Sequence, residues 1–146
     1  MKKLNKMIIK TILLSMALML TAVTTAQAEV AIIVHPSNNQ TLTTGDIARI
    51  YLGKTRYFPD GSDVKPFDLK EGLPVRVAFL KAMVGKSESQ MKTYWSRLIF
   101  SGNGIPPKVA ADDDEVKKWV SENKEGLGFI DVISVDESIK VIKTIQ

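Results

Sequence analysis

The 146-residue chain contains no cysteine and a single histidine. Without thiols it has no disulfide framework, no thiolate for metal or nucleophilic chemistry and no acyl anchor, so its stability must come from core packing. The lone histidine, His35, has no second His and no Cys with which to complete a metal site, and it ends an apolar run directly before Pro36. That setting suits a structural residue or a loop contact. No phosphate-cradling G-x-x-x-x-G-K-[ST] motif occurs and no nucleophile stands beside a base, so the sequence nominates no catalytic residue, no metal and no cofactor, and does not read as an enzyme. Long apolar runs are missing as well. Residues 12–20 make an apolar stretch of nine, well short of the roughly 20 that span a bilayer, so no membrane span is expected in the mature form.

What is present begins with a targeting pattern. Lys2, Lys3, Lys6 and Lys10 precede an apolar and small-residue stretch over 11–26, and Ala26-Gln27-Ala28 has the small-x-small form of a cleavage site. Residues 1–28 are therefore expected to be a cleaved signal peptide, with 29–146 a periplasmic domain. Four of the 20 Lys and Arg residues and none of the 16 Asp and Glu lie in that leader, leaving 16 of each sign and a net charge of 0 in the mature chain. Nucleic-acid binding by surplus positive charge is thereby excluded. The mature 118 residues make one domain that buries roughly two thirds of its unfolded surface; two full lobes would not fit.

Along that domain, helices alternate with short apolar strands, the pattern of an α/β fold. Residues 30–34 are a continuous β-branched run, suited to a strand buried on both faces as in a helix-covered parallel sheet. Thr43 or Thr44 caps a short helix with Ile47, Ile50 and Tyr51 on one face and Gly53 at its end. Pro59-Asp60-Gly61 is a turn, and 64–68 a short strand. Pro74 opens a helix whose buried side is expected at Val77, Leu80, Met83 and Val84, stopped by Gly85. Ser87 and Gln90 form a capping box for the next helix, with Met91, Tyr94, Trp95, Leu98 and Ile99 at helical spacing. Residues 101–107 are a loop. The acids at 112–115 favour the start of a helix with Val116, Trp119 and Val120 inside, Lys124 near its end and Gly126 just after it. A calcium-ligand reading of those acids lacks the alternating oxygens and central Gly of an EF-hand loop. Residues 127–132 and 139–145 are the closing strands.

One polar loop could hold a small anion. Lys70-Glu71-Gly72-Leu73-Pro74-Val75-Arg76 joins a strand to a helix start, whose free amides, with Lys70 and Arg76, could face an anion that Gly72 allows to approach. A plain strand-to-helix turn is the alternative. Ser37-Asn38-Asn39 is a second polar loop beyond a strand.

Residues 47–54 (Ile-Ala-Arg-Ile-Tyr-Leu-Gly-Lys) followed by Pro59-Asp60-Gly61, then 94–102 (Tyr-Trp-Ser-Arg-Leu-Ile-Phe-Ser-Gly) and 119–130, resemble in order segments of the substrate-binding proteins of phosphate-type ABC transporters. The resemblance implies one lobe of a type II periplasmic binding protein-like fold, a mixed sheet flanked by helices, where full-length members have two lobes that close on the ligand. It also exposes losses. In the family an R-x-D-G-S-G-T loop grips the anion, and placing Gly72 on the Gly before the Ser puts Leu69 at the Arg, Leu73 at the Ser, Pro74 at the next Gly and Val75 at the Thr. The resemblance therefore implies a weakened site at Lys70, Gly72, Leu73, Val75 and Arg76, with Ser37 and Asn38 on an opposing loop. Its partners would be a small anion such as phosphate, and the membrane component of an ABC transporter or a second copy of the chain. The competing expectation is a one-lobe protein-interaction module of the cell envelope without high-affinity ligand binding.

Overall fold

The computed structural model describes residues 27–146; the leader expected at 1–28 lies outside them except for its last two residues. Strands β1 (Val30–Val34), β2 (Lys65–Leu69), β3 (Lys108–Ala110), β4 (Gly126–Asp131) and β5 (Lys140–Ile145) form one sheet in the order β3-β2-β4-β1-β5. Helices α1 (Thr44–Tyr51), α2 (Pro74–Phe79), α3 (Glu88–Phe100) and α4 (Asp113–Glu122) join the strands, and α1, α2 and α4 pack against the sheet.

Every residue of β1 is buried, as its unbroken apolar run requires. The expected parallel setting of this strand is corrected: β1 runs antiparallel to both β4 and β5, while β2 is parallel to β3 and β4. The sheet is thus mixed. Alternation along β4 sends its side chains to two covers. Phe129 stacks on Phe79 of α2 at 3.8 Å and meets Tyr51 of α1 edge-on, whereas Gly128 faces α4, where a Cβ would lie 2.5 Å from Val116 Cγ1. The Tyr51 hydroxyl donates to the Phe67 carbonyl at 3.1 Å, and burial raises this phenol well above the ordinary tyrosine range.

Thr43 caps α1 and Ser87 caps α3, each in a reciprocal capping box. Gly53, at φ 66°, follows α1 with the Trp95 ring against it. Asp112 caps α4 by accepting the Glu115 amide at 3.0 Å, which accounts for the start of the acidic run.

Three expectations are corrected. Val77 is 47% exposed, because Val75 and Phe79, one turn apart, both face inward and leave the position midway between them outside. Beyond Phe79 the helix widens into a π-helical turn, Leu80–Val84, that keeps Leu80 and Met83 inside. Ile99 is 54% exposed, since α3 buries only the line through Met91 and Trp95. Gly126 starts β4 instead of standing just after the end of α4, and residues 108–110, unassigned by the sequence pattern, form an edge strand.

Candidate anion site beyond strand β2

Strand β2 ends at Leu69, and residues 70–73 carry the chain into α2. Gly72 adopts φ 94°, a conformation that a side chain would strain, so the turn itself needs glycine there. Pro74 opens the helix at a position whose missing amide hydrogen breaks no helical bond. Leu73 and Val75 do not face a ligand: Leu73 packs partly buried against the core, and Val75 is part of it. Lys70 is exposed and makes no ion pair among the described residues.

Arg76 is the centre of a nearly closed ionic cluster. Its Nε and Nη2 donate to Asp68 Oδ1 at 3.0 Å and Oδ2 at 2.9 Å, a bidentate pair, and its Nη1 donates to Glu88 Oε1 at 2.9 Å. Glu88 also accepts the Gly72 amide, at 3.0 Å to Oε1 and 3.3 Å to Oε2. The side chains of Arg76, Asp68 and Glu88 are only 12%, 8% and 18% exposed. Burial opposes the Arg76 charge, but the two carboxylates outweigh it and hold its pKa above the ordinary value. The loop thus presents an amide and a guanidinium to an oxyanion, and the oxyanion is the protein's own carboxylate. With one cation against two acids, the cluster carries a net negative charge.

Asp68 and Glu88 were not apparent as site residues in the sequence. Asp68 could have been noticed as the one acid in β2; Glu88 lies beside the Ser87 and Gln90 capping box, and nothing in that local pattern points to a partner sixteen residues back at Gly72.

The opposing-loop arrangement is corrected. Ser37 and Asn38 follow β1, which is antiparallel to β4 and so to β2, placing them beside the start of β2 while the 70–76 loop lies beyond its end. There they line a shallow depression of about 560 Å³ with Asp60, Asp63, Lys124 and Glu125. His35 makes a local loop contact, its Nδ1 accepting the Ser37 amide at 3.1 Å with the Ser37 hydroxyl 2.8 Å away. Among the described residues no group of three or more His, Asp or Glu side chains is arranged to hold a metal ion, and no helix is long and apolar enough to cross a membrane.

A mixed sheet covered by helices on both faces, with a polar loop opening a helix beyond a parallel strand, is the architecture of one α/β lobe of a type II periplasmic binding protein-like fold. Solved structures of phosphate receptors share it. A structure described as a phosphate ABC transporter substrate-binding protein with bound phosphate, from Clostridium perfringens, matches 80% of this chain at 22% identity and a TM-score of 0.63. An ABC-type phosphate transport receptor from Vibrio cholerae matches 80% at 20% identity and 0.61, and PstS from Borrelia burgdorferi 79% at 14% identity and 0.56. The chain spans 45%, 47% and 47% of those proteins. At these identities the likeness establishes the fold. No protein-family model and no curated protein matches the sequence.

Proposed function

We propose that this chain is a solute-binding lobe of the phosphate-receptor kind that takes a small oxyanion such as phosphate weakly at the 70–76 loop, in competition with its own Glu88. The observation that carries this is the convergence of the Gly72 amide and the Arg76 guanidinium on one carboxylate, at 3.0 and 2.9 Å. An incoming oxyanion needs the same donors. Displacing Glu88 forfeits charge-assisted bonds worth about 1.5–3 kcal/mol each, and about 2 kcal/mol lowers affinity roughly thirtyfold. Together with the absent Arg, Ser and Thr ligands, this places binding in the millimolar range. In the same proposal residues 1–28 are a cleaved leader, the domain works in the periplasm, and the membrane component of an ABC transporter is its partner.

Thermal melting in phosphate against chloride of equal ionic strength tests the anion site. The expected result is an upward shift that begins only at about 1 mM phosphate and above. Equal melting temperatures up to about 100 mM would remove the anion-binding proposal.

A second reading, a single-lobe interaction module, is favoured by Ile133 and Val135, which are 90% and 38% exposed. They follow β4 at the end of the sheet that also carries the 70–76 loop. Exposed apolar side chains at that end suit a second copy of the chain or another envelope protein. Sedimentation velocity then shows a dimer that Ile133→Glu disperses; a monomer at every concentration excludes self-association.

A further inference from the structure

At the opposite end of β2, a cavity of about 480 Å³ opens between the segments 53–56, 63–66 and 103–108 and the last turn of α4. Its frame is held from below. Gly53 and Gly104 both press on the Trp95 ring, where a Cβ would lie 2.7 Å from Cη2 and 3.1 Å from Cζ3 respectively, so two of its loops rest on a single buried indole. On the α4 side Trp119 is stacked on Phe67 at 4.8 Å with the rings 4° from parallel, and the Asn123 amide donates to the Trp119 carbonyl at 2.7 Å. Trp119, Ile105, Pro66 and Pro107 supply apolar surface.

The charges around this cavity differ from those of the 70–76 loop. Arg56, Lys65 and Lys108 line it against a single acid, Asp63. Lys65 is engaged by Glu125 at 2.8 Å, but Arg56 and Lys108 make no ion pair among the described residues. Arg76 is neutralised twice over; these two cations are not. The cavity therefore combines unspent positive charge with an aromatic and proline-lined wall, at a size within the ordinary range of about 300–1,000 Å³ for small-molecule sites.

From this we infer a second binding site, for a small organic carboxylate with an apolar or aromatic body. The carboxylate meets Arg56 and Lys108, and the body lies along Trp119, Ile105 and Pro107. Inorganic phosphate has the charge but no body to cover the apolar wall, and an amine of the same shape has the wrong sign. The site is separated from the 70–76 loop by the five residues of β2, roughly 16 Å at about 3.3 Å per residue, so it does not depend on the anion-binding proposal.

The test is amide and indole NMR shift mapping on protein purified after expression of the full sequence. The titrants are 3-phenylpropionate, 3-phenylpropylamine and phosphate at constant ionic strength. Expected are saturable shifts with 3-phenylpropionate at the Gly53 and Gly104 amides and the Trp119 indole. Combining Arg56→Gln with Lys108→Gln should weaken binding at least about tenfold, while the rest of the spectrum superposes because both side chains are exposed and unpaired. Phosphate should leave these signals in place; shifts at Gly72 would report only on the other site. No saturable change at these three groups up to about 10 mM, equal binding of the amine, or undiminished binding by the double variant would each overturn the inference.

Discussion

Arg76 shows how one side chain can be legible in a sequence while its role is not. Its place beside Gly72 and Pro74 marked it, with Lys70, as a candidate cation of the loop. Its partners come from eight residues before and twelve residues after, and only folding joins them. Two substitutions separate their contributions. Arg76→Met leaves the buried Asp68 carboxylate uncompensated and is expected to cost about 3–5 kcal/mol of stability, read from urea unfolding; a loss below about 1 kcal/mol would mean the pair is dispensable. Glu88→Gln keeps the shape and removes the competing charge. It should improve phosphate affinity about tenfold, measured by calorimetry, while costing about 1–2 kcal/mol of stability because neutral hydrogen bonds replace charge-assisted ones. An unchanged or weaker affinity would show that Glu88 does not occupy the anion seat.

A second residue-scale effect depends on pH. The Ser138 hydroxyl, then the Lys117 ammonium and the Ser138 amide, hold the Asp136 carboxyl at about 2 against an ordinary 3.8. Because the folded state keeps this proton off more strongly than the unfolded one, the stabilisation is present above about pH 4 and is lost as pH falls toward 2. Asp136→Asn should flatten the decline of melting temperature in that window. An identical acid profile in both proteins would contradict it.

At the scale of elements, local signals and tertiary choices part company. The capping boxes at Thr43 and Ser87 are local chemistry and could be read directly, since the side chain and the amide it caps lie three residues apart. The buried face of α2 could not. Its periodicity allowed Val77 inward, and the choice fell to Phe79 because its ring has Phe129 and Tyr51 to pack against. The contact of α4 with β4 is equally specific, with Gly128 leaving room for Val116. Gly128→Ala should destabilise by about 1–3 kcal/mol through overpacking, seen in the urea midpoint, and Val116→Ala in the same chain should recover part of it. Failure of the second change to help would place the strain elsewhere.

For the whole molecule, the sheet order predicts a gradient of stability. Strand β1 is paired on both sides and wholly buried, whereas β3 is a three-residue edge. Hydrogen exchange should be slowest at the Ile32 and Ile33 amides, approaching the global unfolding limit, and much faster at Val109. Comparable rates at the two would mean that the edge is covered in solution. The antiparallel placement of β1 also divides the site expected from sequence, leaving the 70–76 loop at one end and Ser37 with Asn38 at the other.

By itself the sequence determined the α/β class, most element positions and the helix caps, because each rests on composition or on residues a few positions apart. Only the tertiary structure decided the direction of β1, the pairing of Arg76 with Asp68 and Glu88, and the cavity between Arg56, Lys108 and Trp119. Strand direction and charge pairing are set by which distant segments share a face, and spacing along the chain carries no information about that.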